Sequence, residues 1–274
     1  MSLKEKIKNR FLKKKQVFTR AELNNLLNKM NRDIFEFSEE EIEKMKKQWH
    51  ISSDYCPLPK RLEEIFKSKD AFLMNSFEAA EFTFKLPYGI AYEEAQSESY
   101  HSIINSLKEN NITLEKKIII DVGCGFGGLL SCIKKQAPNA DLIGVECVSS
   151  AKKLLNKRFP WIRFEQKNID ITPKEFHSDL IGDVVLCTEV LEHLVNPGSA
   201  IKNLLSMKTK GGHLIITIPN GRHDRANQHI NFWSPESWEV FLSKNASKYK
   251  ISIMNHYNVF SPGQYNIMSI ISDL

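Results

Sequence analysis

The stretch Asp121-Val122-Gly123-Cys124-Gly125-Phe126-Gly127-Gly128 decides how this chain is read. The apolar run Ile118-Ile119-Ile120 leads into it, and residues 129–136 behind it have helical spacing. A strand, a glycine loop and a helix in that order form a ligand-binding turn. Glycine lets the backbone bend sharply and approach a ligand closely, and the free N–H groups at a helix start favour an anionic or polar group. Gly123, Gly125 and Gly128 satisfy G-x-G-x-x-G, a dinucleotide fingerprint that is weak alone. Two acids refine it. Asp121 stands two residues before the first glycine, where it repels a pyrophosphate and attracts an amino group. Glu146 closes the next apolar run, 23 residues beyond Gly123, where a carboxylate accepts both ribose hydroxyls. The expected ligand is a nucleoside carrying a cation. A nicotinamide-dependent oxidoreductase needs a diphosphate at this loop and is disfavoured.

Working outward, strand and helix patterns alternate. Strands are expected at 142–145, 161–166, 183–187 and 213–218, and helices at 93–109, 149–158 and 200–207. Gly211-Gly212 reads as a turn. Ser234-Pro235-Glu236 opens a helix, with Ser234 as N-cap and Pro235 in the first position. Residues 250–257 and 266–271 are two closing strands with no helix between them, hence a hairpin with one antiparallel strand. The 183–187 run is apolar on both faces, as in a parallel strand covered on both sides. These alternations predict an α/β fold, an open parallel sheet with its site at the strand C-termini. Residues 1–85 differ: they contain no Gly and carry apolar residues at helical spacing. They read as an N-terminal helical extension to a domain over 86–274.

Composition sets the outer bounds. The 274 residues are 42% hydrophobic and 26% charged, which suits a globular core. No window of about 18 uncharged apolar residues occurs, so no membrane span is expected, and residues 1–16 lack the apolar core of a secretory signal. Five Cys without a C-x-x-C pair predict reduced thiols in the cytoplasm. The net charge of +5 is concentrated in residues 1–20, with eight Lys/Arg. That run has no interleaved aromatics and reads first as a solvated helix, with nucleic acid as the less favoured partner.

The glycine loop, Gly144-Val145-Glu146-Cys147, and Asp183-Val184-Val185-Leu186-Cys187-Thr188-Glu189-Val190-Leu191-Glu192-His193-Leu194 together resemble class I S-adenosylmethionine-dependent methyltransferases of the small-molecule type. The resemblance covers about residues 86–274. It implies a Rossmann-like seven-stranded, mostly parallel sheet with helices on both faces, and S-adenosyl-L-methionine as cofactor. It further implies that Asp121, Gly123 and Gly125 line the methionine part and that Glu146, with Cys147 beside it, takes the ribose. Asn168-Ile169 falls beside adenine, with Asn in place of the usual Asp. Thr188 and Glu189 border the sulfonium.

Helical spacing after the fourth strand predicts Glu189, Glu192 and His193 on one face. His229 follows on the polar loop Asn220-Gly221-Arg222-His223-Asp224-Arg225 and beyond. Imidazole titrates near working pH, so His193 and His229 are the expected general bases. The set Glu189, Glu192, His193 and His229 also resembles the divalent-cation ligands of small-RNA 3′-end methyltransferases, but the expectation here is no metal. Tyr88, Tyr92, Phe126, Phe232 and Trp233 are candidates for an aromatic lid, or for core packing. The loop's two Arg and two His favour O-methylation of a small polar acceptor, a sugar or phosphate-bearing metabolite. The alternatives are an RNA methyltransferase with a divalent metal, and a cofactor-binding protein without turnover. A homodimer is a further expectation.

Overall fold

The computed structural model describes residues 96–224, 229–257 and 264–274. The extension over 1–85, Tyr88, Tyr92 and the start of the 93–109 helix lie outside the described residues.

The described chain runs α1 (Ser97–Glu109), β1 (Ile118–Val122), α2 (Gly128–Gln136), β2 (Asp141–Glu146), α3 (Ser150–Arg158), β3 (Arg163–Gln166) and β4 (Gly182–Thr188). A 3₁₀ turn (Leu191–His193), α4 (Pro197–Ser206), β5 (Lys208–Ile218), α5 (Pro235–Asn245), β6 (Tyr249–Tyr257) and β7 (Tyr265–Asp273) follow. The seven strands lie in the order β3-β2-β1-β4-β5-β7-β6. Pairing is parallel from β3 to β5, and β7 runs antiparallel to both β5 and β6. The expected mostly parallel sheet and closing hairpin are present.

Strand alternation divides the apolar residues between two faces. Ile119, Leu142, Leu186 and Ile215 join α1, α2 and α3 in one core. Their neighbours Ile120, Ile143, Val185, Cys187 and Ile216 join α4 and α5 in the other. On the first face Ile104, Leu107, Leu130 and Ile133 are fully buried, three and three residues apart. Each such side chain contributes roughly 1.5–3 kcal/mol of burial. On the second face Trp238 is fully buried, donates Nε1–H to Ser269 Oγ at 2.7 Å, and packs on Trp233 and Phe241. Ser234 caps α5 as expected, its Oγ accepting from Ser237 N at 3.3 Å.

Three local expectations are corrected. The third strand starts at Arg163, because only from there does the edge strand pair with β2. Gly211-Gly212 does not interrupt β5; the strand begins at Lys208, and the extra residues bulge between the Gly182 and Val184 pairings. The largest change follows β4. Glu189 takes φ 54°, and only a single 3₁₀ turn, Leu191–His193, replaces the expected helix.

Candidate active site

β1 is buried on both sides except at its first residue, which delivers Asp121, 1% exposed, to the C-terminal edge of the sheet centre. The glycine loop then folds back on β2: Gly123 N and Cys124 N both donate to Val145 O, at 2.8 and 3.1 Å. Gly123 and Gly125 have φ 73° and 51°, the left-handed region that favours glycine. Their surroundings differ. A Cβ on Gly123 would come within 2.3 Å of Val190 Cγ2, whereas one on Gly125 would meet nothing within 4 Å. The loop is therefore pressed against the turn after β4 on one side and open on the other.

Glu146 ends β2 nearly buried, its Oε1 accepting from Cys147 N at 2.7 Å. Burial raises its pKa, and hydrogen bonds from Cys147 and the Gly125 backbone oppose that rise. Cys147 is half-buried beside it. Asn168 Oδ1 accepts from Asp170 N at 2.8 Å, which leaves a second lone pair on that oxygen. The Ile169 side chain is buried in the α4/α5 core. Thr188, half-buried, pairs across to Thr217 at the end of β5. An open glycine loop, a buried carboxylate one strand over and an amide on the next form a donor and acceptor set that fits a nucleoside with a cationic tail.

The second half of the site is built by two latches. Asp170 carboxylate oxygens accept from Val195 N and Asn196 N at 3.0 and 2.6 Å, fixing the chain after the 3₁₀ turn. From the other side, Ile230 N and Asn231 N donate to Glu192 O at 2.9 and 3.0 Å. Asn231 Nδ2 reaches Leu194 O at 2.7 Å. The base of this loop is closed by Gly221 N to Trp233 O at 2.8 Å. In consequence His193 and His229, 36 residues apart, meet edge to face with ring centroids 4.7 Å apart. His229 Nδ1 lies 2.5 Å from Asp224 Oδ2.

Glu192 is 1% exposed, and among the described residues neither of its oxygens finds a hydrogen-bond donor. His193 Nε2 is 3.8 Å from Oε1, too far for a hydrogen bond. Burial, then the nearby Glu189 charge, push the Glu192 pKa well above the usual carboxylate range. Burial also lifts Glu189, to about 7, although Asn266 Nδ2 donates to its Oε2 at 3.1 Å. Burial, then the Glu192 charge, push the Cys187 thiol well above its ordinary value. Glu192, His193 and His229 bring one ligand-type atom each within 4.8 Å of one another. Glu189 stands outside that group; its Oε2 accepts from Asn266 on β7 instead.

The aromatic candidates separate. Phe126 belongs to the core and Trp233 to the α5 cluster, while Phe232 is exposed, 6.5 Å from the His229 ring. Asn231, Asp170 and Asn266 carry no motif, and only their contacts reveal them. Asp224 alone left a trace, five residues before His229 in a polar loop.

Residues 92–250 match a family model described as a methyltransferase domain. A "Ubiquinone biosynthesis O-methyltransferase" of Coxiella burnetii is 32% identical over 116 residues, 41% of this chain and 47% of that protein. Its namesake in Aliivibrio fischeri is 27% identical over 181 residues, 57% and 74% respectively. The chain thus spans about half the length of the first of these relatives. Among solved structures, the plantazolicin methyltransferase BpumL, in complex with SAH, aligns with TM-score 0.50 at 17% identity, over 78% of this chain and 97% of its own. The [4+2]-cyclase SpnF aligns with TM-score 0.50 at 14% identity, over 63% and 80%. A cyclase on the same fold shows that the fold alone does not select a reaction. No helix among the described residues is long and apolar enough to cross a membrane. With the motif order, the sheet topology and a model match over more than half its length, the chain belongs to the methyltransferase domain family.

Proposed function

We propose that this chain methylates a hydroxyl of a small molecule, with S-adenosylmethionine as donor and the His193/His229 pair as general base. One observation carries the reading: Val190 packs on Gly123, so the histidine turn adjoins the glycine loop. S-adenosylmethionine supplies an electrophilic methyl on a sulfonium, and an oxygen relieved of its proton accepts it. Glu146 takes the ribose hydroxyls, and the Gly123–Gly125 backbone holds the methionine part beside Asp121. An imidazole of the pair receives the hydroxyl proton; such assistance contributes about 10²–10⁴-fold. SAH in the BpumL structure, and the O-methyltransferase names of the relatives, support donor and acceptor atom.

The acceptor class follows the rim. Arg222 pairs with Glu236 at 2.5 Å, both side chains exposed at the rim. Val195, Ile230 and Phe232 are exposed on the two latched segments that carry the histidines. A polar hydroxyl head on an apolar or aromatic body suits this site better than the sugar or phosphate ester suggested by the loop composition. Labelled methyl donor, offered with 3,4-dihydroxybenzoate and catechols, with sugar phosphates and with RNA fractions, tests it. Label is expected in the phenolic acceptors. Label only in RNA would overturn the reading.

A second reading has its own observation, the buried Glu192 carboxyl without donors. A divalent cation held by Glu192, His193 and His229 would satisfy it, and carboxylate with imidazole suits Mn²⁺ or Mg²⁺. In the metal-free reading Glu192 holds its proton, consistent with its raised pKa. Chelator separates the two: unchanged turnover is expected here, and loss restored by one added metal would establish the cation.

A further inference from the structure

We infer that Asp224 is the positioning residue of this site, holding His229 in the tautomer whose Nε2 is bare. The inference rests on His229 acting through Nε2, whether as base or as ligand. Asp224 Oδ2 lies 2.5 Å from His229 Nδ1, and the two side chains are only 8% and 15% exposed. An ionised carboxylate accepts and cannot donate, so Nδ1 must carry the hydrogen whether the ring is neutral or cationic. In the neutral ring the other nitrogen, on the edge away from Asp224, is then the one without a hydrogen.

Both partners are held independently. Asp224 N donates to Asn220 O at 3.0 Å within the turn after β5, and Arg222 N donates to Asn220 Oδ1 at 3.1 Å. His229 is placed by Ile230 N and Asn231 N on Glu192 O, and by Asn231 Nδ2 on Leu194 O. The pair thus ties the loop to itself across residues 225–228, and orients the ring before any acceptor arrives. A hydrogen bond to an ionised group in a site of low exposure is of the stronger kind. A carboxylate behind an imidazole fixes its tautomer in metal sites and in proton-transfer sites alike.

The test reads the tautomer directly. The full chain, labelled with ¹⁵N in its eight imidazoles, is examined by two-bond ¹H–¹⁵N correlation with bound S-adenosylhomocysteine, above the ordinary imidazole pKa. His229→Gln identifies the resonance. Wild type should show a protonated Nδ1 and a bare Nε2, and Asp224→Asn should shift His229 toward the Nε2–H form, with S-adenosylhomocysteine binding unchanged. An Nε2–H tautomer in wild type, or an unaltered one in Asp224→Asn, overturns the inference. Methyl transfer to 3,4-dihydroxybenzoate should fall about 10²–10⁴-fold in Asp224→Asn with KM little changed. If His229→Gln transfers methyl at the wild-type rate while the tautomer result holds, the reading of His229 fails and the placement by Asp224 stands. If His229→Gln is inactive while Asp224→Asn keeps both tautomer and rate, the role of Asp224 fails alone.

Discussion

Gly123 and Glu146 illustrate how much a single residue carries here. Any side chain at Gly123 faces both a left-handed backbone and a Val190 methyl at 2.3 Å. Gly123→Ala should therefore separate the glycine loop from the turn after β4 and abolish cofactor binding. Titration calorimetry with S-adenosylhomocysteine checks this, and retained affinity would contradict it. Glu146→Ala should weaken S-adenosylmethionine and S-adenosylhomocysteine alike, by about tenfold or more, because a ribose contact does not change during methyl transfer. Unequal losses would place Glu146 at the reacting end instead. For the histidines the expected pattern is opposite: His229→Gln or His193→Gln should cost about 10²–10⁴-fold in rate and leave cofactor affinity intact.

At the scale of elements, two contacts set testable limits. The loop after β5 closes where Gly221 meets the backbone of Phe232 and Trp233; an added Cβ would stand 2.7 Å from both. Gly221→Ala should open the loop, displace His229 and reduce turnover, while far-ultraviolet circular dichroism and S-adenosylhomocysteine binding stay as in wild type. The second contact joins α1 to β6. His256, 2% exposed, bonds through Nε2 to Ser99 Oγ at 2.9 Å, and Tyr257 OH donates to Glu98 at 2.9 Å. Burial lowers the His256 pKa from 6.5 to about 4. The unfolded chain then binds more protons than the native one between these values. Its stabilising contribution is complete above about pH 6.5 and falls toward pH 4, by roughly 3 kcal/mol in all. Thermal melts over that range should show the loss in wild type, and His256→Gln should flatten it. Parallel curves would show that another group dominates.

For the whole molecule, the β/α portion is a platform to which two latched segments have been added. Apolar area on both sheet faces stabilises the platform, while the histidine pair depends on a few hydrogen bonds. Disrupting the platform should therefore remove cofactor binding and stability together. Leu130→Ala, in the fully buried α1/α2 core, should cost about 2–5 kcal/mol, read as a lowered denaturant midpoint. Asn231→Ala should change the unfolding free energy by only about 1 kcal/mol and remove methyl transfer. A chain shortened to begin near Glu81 should keep cofactor binding and lose methyl transfer, and full activity would show that the extension has no part in the acceptor site.

What the sequence determined by itself was everything set by local periodicity and by short-range motif. Short continuous apolar runs specify the central strands, because a parallel strand covered by helices on both sides is apolar on both faces. The glycine loop and Glu146 stand out in the sequence because each closes an apolar run, and strand ends are where such sheets take ligands. Spacing predicts a helix after β4, since it cannot reveal that Glu189 adopts a left-handed backbone. Only tertiary structure brought His193 to His229 and set Asp224 behind it. Those contacts depend on hydrogen bonds from the Asn231 side chain and the backbone of Gly221, Ile230 and Asn231 to distant carbonyls, which leave no periodic trace. The pairing of Arg222 with Glu236 is likewise absent from the loop's composition. A pairing across a loop is decided by where the fold places both ends.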